Sequence, residues 1–172
     1  MNNIPAVFML FIALCAGVVA DAAVPAVVVK AIAPGEPLAP GKPAVLTIEV
    51  DIPRPYHINS DKPLQDYLIP TTLELEPNPN AAFGKITFPA APVKKLPVMD
   101  EPMAVLEGIV RISVEIIPGP ELREKELAVK GRVRYQACDD YTCFRPAAQS
   151  FSLTMPVESP APPMISKGPA AS

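Results

Sequence analysis

The sequence predicts an all-β domain of the β-sandwich class, and three observations lead to this prediction. Proline is abundant, with 24 among 172 residues, and because an interior proline removes a hydrogen-bond donor and clashes with the preceding turn, long helices are excluded. Apolar and polar residues alternate in several runs, as they do in strands that bury one face. Turns separate these runs at the spacing typical of about seven short strands in a sandwich.

Uninterrupted alternation identifies the clearest strands. Apolar residues occupy every second position in Leu46–Ile52 and again in Val110–Ile116. The run Leu127–Tyr135 and the shorter run Phe151–Met155 repeat the pattern. Since successive side chains of a strand point to opposite faces of the sheet, each run predicts a strand with one buried face. Three weaker candidates are Val27–Ile32, Thr72–Glu76 and Lys85–Phe88.

Turn-forming residues separate these runs. A strand does not continue through them, because proline cannot donate to the ladder and glycine favours turn conformations. The charged stretch Glu121–Glu126 follows one such turn and predicts a loop or the entry to a strand. The turns are at Pro34-Gly35, Pro40-Gly41, Pro53–Pro55, Pro77–Asn80 and Pro118–Pro120.

The N-terminus predicts an export signal. Ala6–Ala20 is an apolar run of fifteen residues, and the small-residue pattern Ala20–Ala22 follows it, which is typical of a cleaved signal peptide. The alternative is an uncleaved membrane anchor, for which roughly 20 apolar residues are needed. We therefore expect a signal peptide at residues 1–22, export to the periplasm and the loss of Cys15 with the signal.

The C-terminus predicts disorder. Beyond Met155 the chain is rich in Pro, Ala and Ser and shows no apolar periodicity. Such a composition cannot bury enough apolar surface to offset the entropy lost on ordering. We therefore divide the chain into the signal peptide, one folded domain at residues 23–156 and a disordered tail at residues 157–172.

The chemistry-bearing motif is Tyr135–Pro146, YQACDDYTCFRP, in which four residues separate Cys138 from Cys143. A turn of this length can bring two Cα atoms within the roughly 4.4 to 6.8 Å that a disulfide spans. Because closing so short a loop removes little entropy from the unfolded chain, the bond would be a weak structural staple. An accessible disulfide on a loop exchanges easily with other thiols. The residues alone leave a structural disulfide, a redox pair and a metal site open.

Other chemistries find less support in the sequence. The one histidine, His57, shares no ligand-spacing motif with Asp139 or Asp140, so we expect no metal and interpret His57 as a hydrogen-bonded structural residue. With His57 as the one histidine in the sequence, we find no nucleophile-base arrangement for hydrolysis. The net charge is −3 and no Lys/Arg cluster is present, which argues against nucleic acid as a partner.

The motif Tyr135–Pro146 resembles the active-site segment of the N-terminal periplasmic domain of DsbD, the thiol:disulfide interchange protein, in which a Tyr-Gln dipeptide precedes the redox cysteines. Two further stretches are similar to the same family, Pro55–Pro63 and Leu106–Val110. The resemblance covers residues 27–156. It implies an immunoglobulin-like β-sandwich and thiol-disulfide exchange without a cofactor.

The resemblance also implies a shuttle mechanism. Cys138 and Cys143 would cycle between dithiol and disulfide, taking electrons from a separate membrane-embedded protein and passing them to periplasmic thioredoxin-like proteins. By analogy, Cys143 bonds the partner and Cys138 resolves the mixed disulfide. We expect the domain to act as a monomer. The alternative function is a non-catalytic exported binding or accessory domain with a structural disulfide.

In this family a cap loop carrying an aromatic residue shields the cysteines. The matching region, Met99–Leu106, contains no aromatic residue, so we expect Met103 or Leu106 to serve in its place. Tyr56 and Tyr141 are expected to neighbour the pair. The two cysteines are also one residue closer in sequence than in well-known members of the family, a difference that could alter the reduction potential.

Overall fold

A computed structural model of the chain describes residues 25–97 and 100–158. These residues form strands and connecting loops without a helix, which confirms the predicted all-β class, and none of them belongs to a helix long and apolar enough to cross a bilayer. The eleven strands in this part of the chain are β1 (Val28–Ile32), β2 (Ala44–Ile52), β3 (His57–Asn59), β4 (Thr72–Leu75), β5 (Ala81–Thr87), β6 (Val93–Lys94), β7 (Met103–Leu106), β8 (Gly108–Pro118), β9 (Glu126–Tyr135), β10 (Ala137–Cys138) and β11 (Ala147–Pro156).

Both termini of the chain fall largely outside these residues. All residues of the predicted signal peptide lie outside the described part of the chain. The same is true of the predicted tail, except for its first two residues. Of those two residues, the Val157 side chain is buried, and the exposed Glu158 donates its N–H to the Leu38 carbonyl oxygen at 2.9 Å. The domain boundaries stay a prediction.

The strands form three antiparallel sheets, with the orders β1-β2-β8-β5, β11-β9-β4 and β10-β3-β7-β6. In the first sheet, β2 and β8 pair from Ala44 opposite Ile116 to Ile52 opposite Gly108. In the second, β9 and β11 pair along the whole of both strands. These two long pairs carry the apolar faces between which the core forms.

The core confirms the alternation in the sequence. From Leu46 in β2, Val110 in β8 and Leu127 in β9 onward, every second residue is buried, while the residues between them are exposed or half-buried. Because the two long pairs face each other, their apolar residues form one continuous cluster. Its largest contributors from these strands are Leu46, Ile48, Val50, Ile52, Val110, Ile112, Val114, Ile116, Leu127, Val129, Val133 and Tyr135.

The structure corrects the number of strands and two boundaries. β5 begins at Ala81 rather than at the predicted Lys85, and β11 begins at Ala147 rather than at the predicted Phe151. The sequence predicted about seven strands, and the additional ones are the short strands β3, β6, β7 and β10. Every residue of β3, β7 and β10 is buried, so these strands lack the alternation by which the longer strands were identified.

The third sheet positions the cysteine motif. β10 follows β9 after the single residue Gln136, so the chain passes directly from a long core strand into the short sheet. There β10 pairs with β3, which places Ala137 opposite Ile58. On its other side β3 pairs with β7, where Ile58 is opposite Leu106. The entry to the motif is therefore fixed by strand pairing on a buried sheet.

The position of Gly131 yields a prediction about stability. A Cβ atom there would lie 2.5 Å from the Glu74 carbonyl oxygen and 2.7 Å from Cζ of Phe151. We expect Gly131→Ala to lower the free energy of unfolding by about 1–3 kcal/mol, because backbone and ring must both move. A denaturant titration measures this change. The control is Gly35→Ala, because a Cβ atom at Gly35 meets nothing within 4 Å. Equal unfolding midpoints for the two variants would contradict the close approach of Glu74 and Phe151 to Gly131.

Candidate functional site

Cys138 and Cys143 form a disulfide in the structure. The Sγ–Sγ distance is 2.00 Å and the two Cα atoms are 4.0 Å apart. The backbones of the two residues also form an isolated antiparallel β-bridge, so the chain turns back on itself between them. The loop that closes this turn is Asp139–Thr142.

The two cysteines differ in their access to solvent. Cys138, the last residue of β10, is 0% exposed, whereas Cys143 is an exposed residue at the end of the loop. Thiol-disulfide exchange requires that the attacking thiolate reach a sulfur atom. A thiolate from outside the domain therefore meets Cys143, and Cys138 is protected within the sheet.

The loop between the cysteines is ordered by the Asp139 side chain. Its Oδ1 accepts hydrogen bonds from the backbone N–H groups of Tyr141 and Thr142, both at 2.8 Å, an arrangement typical of an Asx turn. These two bonds lower the pKa of the Asp139 carboxyl, because they stabilise its charged form. The backbone adds a bond from the Asp139 N–H to the Thr142 carbonyl oxygen at 2.9 Å.

Gln136 and Phe144 join the two ends of the motif. The Gln136 side-chain amide donates from Nε2 to the Phe144 carbonyl oxygen at 3.1 Å, and the Phe144 N–H donates to the Ala137 carbonyl oxygen at 2.8 Å. The Phe144 ring meets the Tyr56 ring edge to face, with centroids 5.6 Å apart. The residue after Cys143 is thus held both by hydrogen bonds to Gln136 and to Ala137 of β10 and by an aromatic ring from the segment before β3.

His57 lies directly opposite Cys138 in the β3–β10 pair. Residues opposite each other on antiparallel strands project to the same face, with Cβ atoms about 4.5–5.5 Å apart. The histidine is 1% exposed, and its Nε2 is buried without a hydrogen-bond partner among the residues that the structure describes. The structure therefore differs from the sequence interpretation of His57 as a hydrogen-bonded structural residue.

Burial lowers the pKa of His57, and the nearby carboxylates act in the opposite direction. Those carboxylates are Glu107, Asp140 and Asp139, in decreasing order of effect, and Lys94 adds a small lowering contribution. Desolvation penalises the charged imidazolium. At neutral pH the ring beside Cys138 is therefore neutral.

The residues expected to cap or support the pair have different surroundings. Met103 is 0% exposed and packs in a small separate cluster with Leu68, Leu96 and Val105. Leu106 is 3% exposed and belongs to the main core. Both are residues of β7, so neither is on a free loop over the cysteines, and they can support the site only through β3. Met99, at the start of the predicted cap region, lies outside the described residues.

The two tyrosines also differ from each other. Tyr56 is half-buried in its contact with the Phe144 ring, which brings it next to the residue that follows Cys143. Tyr141 is at the tip of the loop and is 84% exposed. Tyr56 packs at the base of the loop, whereas the Tyr141 ring is exposed to solvent.

The sequence reasoning gave no role at the site to His57, which it interpreted as structural, or to Phe144. The turn that Asp139 forms could have been predicted from the sequence, because an Asp whose side chain can bond the backbone two residues later is a recognisable Asx-turn signal. The cross-strand pairing of His57 with Cys138 has no such local signal, because the two residues are far apart in sequence. Across residues 25–97 and 100–158, no group of three or more His, Cys, Asp or Glu side chains is arranged to hold a metal ion.

Comparison with known proteins gives one family match. The family model described as "Thiol:disulfide interchange protein DsbD, N-terminal" matches residues 27–155. Among solved structures, the crystal structure of the N-terminal periplasmic domain of ScsB from Proteus mirabilis is similar, with 10% sequence identity and a TM-score of 0.45. That alignment covers 73% of this chain and 46% of the other, so the similarity spans less than half of the ScsB chain. No curated protein matches the sequence.

The hydrogen bonds to Asp139 lead to a prediction about the loop. In Asp139→Ala we expect the amide protons of Tyr141 and Thr142 to exchange with solvent roughly tenfold faster, because each loses its acceptor. Native-state hydrogen exchange by NMR measures this. Asp140→Ala is the matched control, since neither of these hydrogen bonds ends on Asp140. Equal exchange rates in the two variants would show that the Asp139 carboxylate does not order the loop.

The lowered pKa of Asp139 predicts the sign of a pH effect. Because the folded-state pKa is below the unfolded value, the carboxylate stabilises the folded state at neutral pH, and this contribution disappears as the pH falls through the folded-state pKa. Comparison of wild type with Asp139→Asn in acid denaturation measures it. We expect the difference in stability between them to shrink below the ordinary aspartate range, and a difference that grows with acidity would contradict the assignment.

Proposed function

Because the chain belongs to the family of the N-terminal domain of the thiol:disulfide interchange protein DsbD, we propose that it passes reducing equivalents through Cys138 and Cys143 to other proteins. One observation carries this proposal: the disulfide joins an exposed cysteine to a buried one. An electron shuttle needs one accessible cysteine and one protected cysteine. The accessible sulfur bonds the partner protein, and the protected sulfur does not form a bond with the partner.

The exchange assigns a separate role to each cysteine. In the reduced domain, the Cys143 thiolate attacks one sulfur of a partner disulfide, which forms a mixed disulfide and releases the partner's second sulfur as a thiolate. Cys138 then attacks Cys143 Sγ, so the bond to the partner breaks and the Cys138–Cys143 bond forms. Two electrons pass from the domain to the partner. The exposure of Cys143 supports its role as the partner-bonding residue.

Family membership also supports a proposal for location and partners. The domain would be a monomer in the periplasm, exported by the signal peptide at residues 1–22, with the folded part beginning near residue 23. Its acceptors would be periplasmic thioredoxin-like proteins and its donor a separate membrane-embedded protein. Tyr141, exposed at the tip of the loop, is placed to contact either partner. Tyr56, Met103 and Leu106 would keep β3 and the base of the loop in position behind the pair.

The reduction potential of the Cys138–Cys143 couple tests the proposal. We expect a value between about −180 and −270 mV, the range of working exchange proteins, in equilibration against thiol-disulfide buffers. The protein would carry Cys15→Ser, so that the pair is the sole source of thiols. A potential below about −300 mV would identify a structural staple in an accessory domain and would overturn the proposed shuttle.

The two roles can be separated by trapping. We expect Cys138→Ala to accumulate a mixed disulfide with an oxidised thioredoxin-like protein, because Cys143 can attack but nothing resolves the product. The matched variant is Cys143→Ala; both variants carry Cys15→Ser, so that the one remaining cysteine in the matched variant is the buried Cys138, which should form little adduct. Non-reducing electrophoresis and mass spectrometry measure the adduct. More adduct in Cys143→Ala than in Cys138→Ala would reverse the assignment.

A further inference from the structure

The resolving step requires the removal of a proton in a buried place. The thiolate, not the thiol, is the nucleophile in exchange. Cys138 is 0% exposed, and enclosure away from water disfavours the formation of a charged sulfur. Bulk solvent is therefore poorly placed to take this proton, and a protein group next to Cys138 has to do so.

His57 is the group that strand pairing places beside Cys138. The register of β3 against β10 puts the two residues opposite each other and on the same face. β3 cannot slide to another register easily, because its other edge is paired with β7 through Ile58 and Leu106. The imidazole is buried, and its Nε2 lacks a hydrogen-bond partner among the described residues. An unpartnered buried nitrogen is costly and calls for a functional explanation.

The charges around His57 suit a group that gains and loses a proton. Desolvation keeps the imidazole neutral and able to accept a proton. The carboxylates of Glu107, Asp139 and Asp140 act on it from two sides and stabilise the imidazolium once it forms. Lys94 opposes them, but its ammonium is paired with Glu107.

We propose that His57 accepts the proton of the Cys138 thiol in the resolving step, an inference that rests on the proposed function. Nε2 takes the proton from Cys138 Sγ, and the resulting thiolate attacks Cys143 Sγ. The Cys138–Cys143 bond forms as the bond from Cys143 to the partner sulfur breaks. The partner leaves as a thiolate that takes up a proton from solvent, and the imidazolium returns its proton to solvent. When the domain disulfide is reduced, His57 first takes a proton from solvent and then passes it to the Cys138 sulfur as that sulfur leaves.

The test follows the two steps separately in reduced protein carrying Cys15→Ser. The aromatic disulfide 5,5′-dithiobis(2-nitrobenzoate) releases one coloured thiolate when Cys143 attacks it and a second when Cys138 resolves the adduct. The second rate constant does not depend on reagent concentration, which identifies it in stopped-flow absorbance. In wild type we expect this constant to be nearly independent of pH from 7 to 8, because the base is already neutral there.

Substitution of His57 should change this pH profile. In His57→Gln we expect the second step to be at least about tenfold slower at pH 7 and to rise roughly tenfold per pH unit, as expected when hydroxide removes the proton. His57→Phe, which keeps a ring but has no nitrogen, should behave in the same way. Ile58→Val is the matched control, since it trims a buried residue of the same strand, and it should keep the pH-independent profile.

Each result decides the inference. A second step that rises roughly tenfold per pH unit in wild type overturns it, even if the His57 variants do not fold. A pH-independent step retained in His57→Gln also overturns it. Absence of a second release in wild type would overturn both this inference and the role of Cys138. A reduction potential in the range of structural disulfides would defeat the proposed shuttle while leaving the proton transfer measurable.

Discussion

The antiparallel pairing of β10 with β3 is the constraint on which the site depends. It holds Ala137 opposite Ile58 and Cys138 opposite His57, on a short sheet whose central strands are fully buried. Because strand pairing fixes the position of Cys138, the next four residues have to turn back within a short distance. Cys143 therefore lies at the surface, bonded to Cys138. The difference in exposure between the two sulfurs therefore follows from the position of a strand end.

The long strands contribute rigidity rather than chemistry. β9 is paired on both sides, by β11 and β4, and its alternate residues fill the core. Only Gln136 separates this anchored strand from β10, and its side-chain amide reaches across to the Phe144 carbonyl oxygen. The loop that holds the reactive bond is thus attached at its base to a strand that is paired on both sides, so that exchange at Cys143 need not disturb the sandwich.

The site combines three features that exchange chemistry requires. A sulfur must be accessible, a second sulfur must be protected from outside thiols, and the proton of the second must have a destination. The Asx turn at Asp139 orders the loop that presents Cys143, the sheet protects Cys138, and His57 supplies a neutral buried nitrogen. The carboxylates of Asp139 and Asp140 in the same loop raise the pKa of His57 against the effect of burial. One short segment therefore both presents the Cys143 sulfur and affects the protonation of His57.

The sequence by itself determined the all-β class, the four long strands and the cysteine motif, because alternation and turn residues are local signals that act within a few positions. It did not reveal β3, β7 or β10, whose residues are all buried and so lack a two-residue period. It suggested a cap at Met103 or Leu106, whereas both side chains are buried in β7. The approach of His57 to Cys138 was decided only by the tertiary structure, because the register between strands distant in sequence depends on the packing of the whole sheet.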